Sequence, residues 1–303
     1  MGETLRPDVV RVGINPIAWT NDDFEELGDD IPVERCLAEA HEAGYAGIEM
    51  GRKLPLEATS LGALLGAHGL RLVSGWHSLH TFELSRPAER TRLLAHAELL
   101  GRLGVSVVIV AECSGRTYTE RGVPLRFGRN ARRPDRAEWK KLGAALEELG
   151  ELAAVRGMRL AYHPHAGTVI QDAEDVDRLL ERSPRTGLLF DTGHLALAGA
   201  DPLAVLKRWG ARVTHVHLKN LRADVVRRVR SEGLSFERAV KAGVFTVPGD
   251  ETGSIDFAPL LAELARLDYA GWLVVEAEQD PAVAVPLTYA RMGREYVKRV
   301  AGV

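Results

Sequence analysis

Short, almost unbroken apolar runs recur along the whole chain, and each follows a stretch that ends near a glycine or another small residue. They are VRVGIN (around 11–15), YAGIEM (45–50), LRLVSGW (70–76), VSVVIV (105–110), MRLAYH (158–163), GLLFD (187–191), RVTHVHL (212–218) and GWLVVE (271–276). Apolar runs of this length predict strands buried on both faces, as in a parallel sheet. Between them, apolar residues return at helical spacing. In PVERCLAEAHEAG, Val33, Cys36, Leu37 and Ala40 fall at i, i+3, i+4 and i+7, with Pro32 suited to a first turn and Gly44 to a stop. Further helices are predicted over 56–68, 88–103, 136–156, 173–182, 202–209, 257–267 and 286–300.

Eight strands alternating with helical crossovers predict an α/β fold whose parallel sheet closes into a single (β/α)8 TIM barrel; an open doubly wound sheet is the alternative. No Gly/Ser or Pro-rich linker interrupts the pattern, so residues 1–303 read as one domain. Two connections are longer than a barrel needs, 115–134 and 221–255, and long connections in compact domains usually serve function or partner contacts. The first is basic, with Arg116, Arg121, Arg126, Arg129, Arg132 and Arg133 against Glu120, and is expected to be a solvated mobile flap rather than an anion site. The second contains amphipathic helical patterns in VVRRVRSEG and SFERAVKAG, expected to pack on the barrel or a neighbouring subunit.

Composition removes several functional classes. The 39 basic and 42 acidic side chains give a net charge of −3, which offers no general attraction to nucleic acid or anionic lipid. Two cysteines, Cys36 and Cys113, suit a reducing compartment. There is no signal-like N-terminus and no apolar stretch of membrane-spanning length, so a cytoplasmic protein is expected.

In a parallel barrel the chemistry sits at the carboxyl ends of the strands, and those ends are polar here. Glu49 ends the second run, Trp76 and His77 the third, Glu112 and Cys113 the fourth, His163 and His165 the fifth, Asp191 and His194 the sixth, His215, His217 and Lys219 the seventh, Glu276 and Glu278 the eighth. One such residue is usually a core group satisfied by the backbone. Seven strands converging on one rim would instead bury several charges together, which calls for a cation. One ligand per strand gives His163, Asp191, His217 and Glu276. A mixed imidazole and carboxylate set suits Mn²⁺, Co²⁺, Zn²⁺ or Fe²⁺. His163 and His165 share a face, as do His215 and His217, because side chains repeat every two residues along a strand.

The segments GINPIAWTNDD, YHPHAGT, FDTGH, HVHLK, AGVFTVPGD and GWLVVEAEQDP resemble the inosose dehydratases within the xylose-isomerase-like, endonuclease-IV-like barrels, over Val12 to about Tyr296. The resemblance carries metal positions onto Asp191 of DTGH, His217 of HVHLK and Glu276 of VVEAE. Related barrels generally place a glutamate where His163 stands. The resemblance also implies Mn²⁺ or Co²⁺, a glutathione requirement, and loss of water from 2-keto-myo-inositol, a small polyol ketone.

That reaction needs a base for a proton beside a ketone, an acid for the departing hydroxyl and a cation on the carbonyl oxygen. His165 and His194 are the candidate proton-transfer residues, and Lys219 a candidate electrostatic partner. Glu49 and Glu112 are candidates to orient hydroxyls or act as base, and Asn15, Trp19 and Trp76 to line the pocket. An isomerase or epimerase shares the same proton abstraction and is the alternative reading. A nuclease is disfavoured because VPGDETGSIDF lacks the histidine such barrels use, and a homo-oligomer is expected from related barrels.

Overall fold

The computed structural model describes residues 4–303. Nine strands form one curled sheet: β1 (Val10–Ile14), β2 (Gly47–Ile48), β3 (Arg71–Leu72), β4 (Gly75–Leu79), β5 (Val107–Glu112), β6 (Arg159–Tyr162), β7 (Gly187–Asp191), β8 (Val213–Leu218) and, beyond the short antiparallel pair β9 (Asn220–Leu221) and β10 (Phe245–Thr246), β11 (Gly271–Val275). Every pairing in the large sheet is parallel, in the order β3-β2-β1-β11-β8-β7-β6-β5-β4.

The two ends of that order are successive pieces of one segment, separated by Val73 and Ser74. The sheet therefore closes on itself through its third stave, which pairs with β2 in its first half and β5 in its second. Bonds from Val73 N to Ile48 O (2.9 Å) and from Met50 N to Ser74 O (3.0 Å) carry the ladder across the break. Eight staves result, as expected, but the stave at 70–76 is broken and runs on to Leu79. A barrel strand is tilted and staggered against its neighbours, so its two halves meet them at different heights. His77 thus lies within the stave rather than at its end, and faces outward, with Nε2 3.1 Å from Glu89 Oε1.

The helices are α1 (Val33–Glu42), α2 (Ala58–Ala67), α3 (Arg86–Arg102), α4 (Arg136–Ala154), α5 (Ala173–Arg182), α6 (Thr192–Ala198), α7 (Pro202–Trp209), α8 (Ala223–Glu232), α9 (Phe236–Lys241), α10 (Ala258–Arg266) and α11 (Pro286–Ala301). Helices α5 and α7 begin and end where the pattern predicts them. A capping box between Asp172 and Asp175 starts one, and Asp201 followed by Pro202 starts the other. Pro32, expected in the first turn of α1, stands one residue before it and makes no side-chain cap, and Gly44 at φ +88° follows its C-terminal end.

Both long connections are tied down. The segment at 115–134 is exposed over much of its length, as expected, but is anchored: Tyr118 and Leu125 are buried, and Leu125 N donates to Leu234 O (3.0 Å). Two of its arginines pair with acids of other segments. Arg121 reaches Glu26 (2.7 Å) and Glu237 (3.2 Å), and Arg133 reaches Asp172 (2.5 Å) and Glu174 (2.7 Å). The segment at 221–255 folds as α8, α9 and β9–β10 and packs onto the barrel mouth, with Phe236 and Phe245 fully buried beside His194. Among the described residues no helix is long and apolar enough to cross a membrane.

Candidate active site

The carboxyl ends of β6, β7, β8 and β11 converge on one buried cluster. Asp191 is both the last residue of β7 and the N-cap of α6. Its Oδ1 accepts from His194 N (2.7 Å), which aims Oδ2 at His163 Nε2 (3.4 Å), His217 Nδ1 (3.5 Å) and Lys219 Nζ (3.6 Å). Helix α6 lies outside the predicted elements because DTGH reads as a strand end, whereas the strand and the helix share that aspartate. His217 Nδ1 also lies 2.5 Å from Glu276 Oε2. The register of β7 against β8 slips between Leu188 and Leu189, and this sets Asp191 directly across from His217.

A second group adjoins the first. Lys219 is fully buried, with Nζ 2.6 Å from Glu276 Oε1, 2.6 Å from Glu278 Oε2 and 2.9 Å from His194 Nε2, over the face of Phe245 at 4.8 Å. The ring of His165 lies 3.8 Å from that of His194, between Tyr118 at 4.6 Å and Trp76 at 5.7 Å. His165 Nδ1 faces the carbonyl of Ala166 at 2.9 Å. A carbonyl only accepts, so Nδ1 carries the hydrogen and Nε2 is bare. Gly193 is close-packed beneath this group: a Cβ there would stand 2.5 Å from Lys219 Cγ. Gly193→Ala gains helix propensity worth about 1 kcal/mol, but the overlap outweighs it. We expect a net loss of about 1–2 kcal/mol by urea denaturation.

A cavity of about 310 Å³ opens onto these groups, lined in part by Asn15, Glu49, Trp76, Tyr118, His163, His165, His217 and Glu276. Of the predicted residues, Asp191, His194 and Lys219 are fully buried behind it. Glu49 reaches the pocket wall but its carboxylate is engaged by side-chain donors.

Glu112 does not belong to this site. It is buried away from the pocket, where its oxygens accept from Thr81 N (3.0 Å), Thr81 Oγ1 and Ser114 N (2.8 Å), so it fastens two loops. Glu112→Gln is expected to cost about 1–3 kcal/mol in urea denaturation, by setting an amide donor against loop donors, while turnover stays within a few-fold of the parent. Trp19 is likewise outside the pocket: it is fully buried and donates Nε1–H to Glu39 Oε2 (2.6 Å) on α1.

Glu278, placed at the eighth strand end but given no role, also lines the pocket, as do Asp23 and Tyr118. Glu278 follows from alternation beyond Glu276, whereas Asp23 and Tyr118 stand on loops whose path no periodicity encodes.

The electrostatics divide the two groups. Burial works against ionising Glu276, but His217 and Lys219 outweigh it and hold its carboxyl at about 2. Burial lifts Glu278 to about 7 even with Lys219 beside it. Burial, His163 and Lys219 hold His165 well below the usual imidazole range, so it is neutral. At the mouth, burial and the neighbouring Asp22 lift Asp23 to about 7.

The donor set fits a divalent cation. Both ring nitrogens of His163, Asp191 Oδ2 and His217 Nδ1 are buried without a hydrogen-bond partner, which is costly unless something else meets them. Asp191, His217 and Glu276 each offer an atom within 4.8 Å of the others. The carboxylates of Glu49, Asp191, Glu276 and Glu278 are all buried, and among the described residues Lys219 is the one basic side chain other than histidine in ion-pair reach of them. That imbalance favours a further cation.

A closed parallel barrel that gathers histidines and acids from successive strands beside one carboxyl-end pocket defines an enzyme-type barrel for a small molecule. The chain belongs to the xylose isomerase-like TIM barrel family, whose model matches residues 37–299. It is 44% identical over 302 residues to a protein of Geobacillus thermodenitrificans named inosose dehydratase, covering 98% of this chain and 99% of the relative. It is 45% identical over 295 residues to the rhizopine catabolism protein MocC of Rhizobium meliloti, covering 96% and 89%. Among solved structures, the IOLI protein with a bound zinc atom superposes with a TM-score of 0.68 at 16% identity, over 96% of this chain and 98% of that one.

Proposed function

We propose that this protein is a metal-dependent hydro-lyase that removes water from 2-keto-myo-inositol (scyllo-inosose) in inositol catabolism. The observation that carries the reading is the bare Nε2 of His165 beside the unpartnered acceptors of His163, Asp191 and His217 on one small pocket. The near-full-length likeness to proteins named inosose dehydratase supports the choice of substrate.

His163, Asp191, His217 and Glu276 would hold the cation, with Mn²⁺ or Co²⁺ the metals that suit this nitrogen and oxygen set. When bound, such a cation supplies Lewis-acid polarisation of a carbonyl oxygen. His165 Nε2 takes the proton from the carbon next to the ketone. The C–H pair becomes a C=C bond as the C–O bond to the β-hydroxyl breaks. The imidazolium so formed returns its proton to that hydroxyl, which departs as water. The remaining enol tautomerises to the 1,2-dione. His194 lies behind His165 and braces it, and Lys219 holds Glu276 and Glu278 in place. Trp76 and Tyr118 supply apolar walls for the ring faces, and the cavity suits a single sugar-sized ring.

The test is incubation of Mn²⁺-loaded protein with scyllo-inosose. Ultraviolet absorbance of the dione, with loss of the ketone, is expected. Ring epimers without the dione would instead show an isomerase or epimerase.

A further inference from the structure

Glu49 stands just past β2 with a buried carboxylate that meets four side-chain donors. Ser74 Oγ (2.5 Å), His215 Nε2 (2.8 Å) and His217 Nε2 (3.1 Å) converge on Oε1, and Asn15 Nδ2 (2.7 Å) meets Oε2. A carboxylate receiving this many donors only accepts, so each imidazole nitrogen facing it carries a hydrogen. The opposite nitrogen of His217, Nδ1, points at Asp191 Oδ2 (3.5 Å) and Glu276 Oε2 (2.5 Å).

We infer that Glu49 is a positioning residue that fixes His217 in its Nε2–H form, so that Nδ1 is the nitrogen presented to the cation. This rests on the reading of the rim as a metal centre. A carboxylate behind a metal-binding imidazole sets both the tautomer and the ring orientation. His215 takes part from one layer deeper: its ring lies 5.4 Å from that of His217 at 70°, and both hang from the same oxygen. Asn15 extends the hold to a second ligand, since its Nδ2 also lies 3.2 Å from Glu276 Oε2. Glu49 is therefore not a free base. Taking a substrate proton on Oε1 would displace donors that hold His217 in register.

The experiment measures Mn²⁺ affinity by titration calorimetry for the parent and Glu49→Gln, together with histidine ring ¹⁵N spectra of the Zn²⁺-loaded parent. A glutamine keeps the shape but offers a weaker, neutral acceptor. Its Mn²⁺ Kd is expected to rise roughly 10–100-fold, and the spectra of the parent are expected to show His217 protonated at Nε2 and perturbed by Zn²⁺ at Nδ1. Unchanged Mn²⁺ affinity in a folded Glu49→Gln variant, or a His217 that carries its hydrogen on Nδ1, overturns the role of Glu49. A parent that binds neither ion overturns the metal centre as well, which separates the two failures. Should the variant not fold, the spectra of the parent decide the tautomer.

Discussion

His217→Ala is expected to abolish tight Mn²⁺ binding and inosose dehydration together. Its imidazole joins three buried carboxylates: Nδ1 faces Asp191 and Glu276, and Nε2 reaches Glu49. Alanine leaves three buried carboxylates facing a void, with His163 the one nitrogen left among the four proposed ligands. Loss of the cation removes several kcal/mol of charge stabilisation at the substrate oxygen, which is a fall in turnover of roughly a thousandfold or more. Elemental analysis of the purified variant and the absorbance of the dione measure the two effects. Wild-type turnover in a metal-free variant contradicts the assigned role.

Lys219→Met is expected to act differently. The ammonium is wholly buried among Asp191, Glu276 and Glu278 and also touches His194. Removing one partner of a buried charged group leaves the others uncompensated, at about 3–5 kcal/mol, so the urea midpoint of the metal-free protein should fall sharply. Mn²⁺ affinity should hold or rise, because a competing positive charge is gone from beside Glu276, and added Mn²⁺ should recover part of the lost stability by mass action. A variant as stable as the parent without metal would show that Lys219 is not the charge that balances this cluster.

Much of the barrel was legible in the chain because parallel strands buried on both faces carry unbroken apolar runs, and helices α5 and α7 because Asp172 and Asp201 announce their first turns. The broken third stave was not, since a change of hydrogen-bonding neighbour depends on strand tilt and leaves no mark on the composition of residues 71–79. The convergence of His163, Asp191, His217 and Glu276 followed from their positions at strand ends. Glu112 ends a strand in the same way, yet its carboxylate is turned aside by donors of Thr81 and Ser114. Strand position sets where a side chain starts, and the adjoining loops decide whether it reaches the pocket. Trp19 shows the same rule, its indole held against α1 by Glu39.

Diffraction from crystals soaked in Mn²⁺, recorded at a wavelength where manganese scatters anomalously, tests the centre itself. The account predicts one anomalous peak per chain, bonded to His163, Asp191, His217 and Glu276 at about 2.0–2.3 Å. No peak there in protein that still dehydrates inosose, or a peak bonded elsewhere while those four side chains stay unbound, would contradict it.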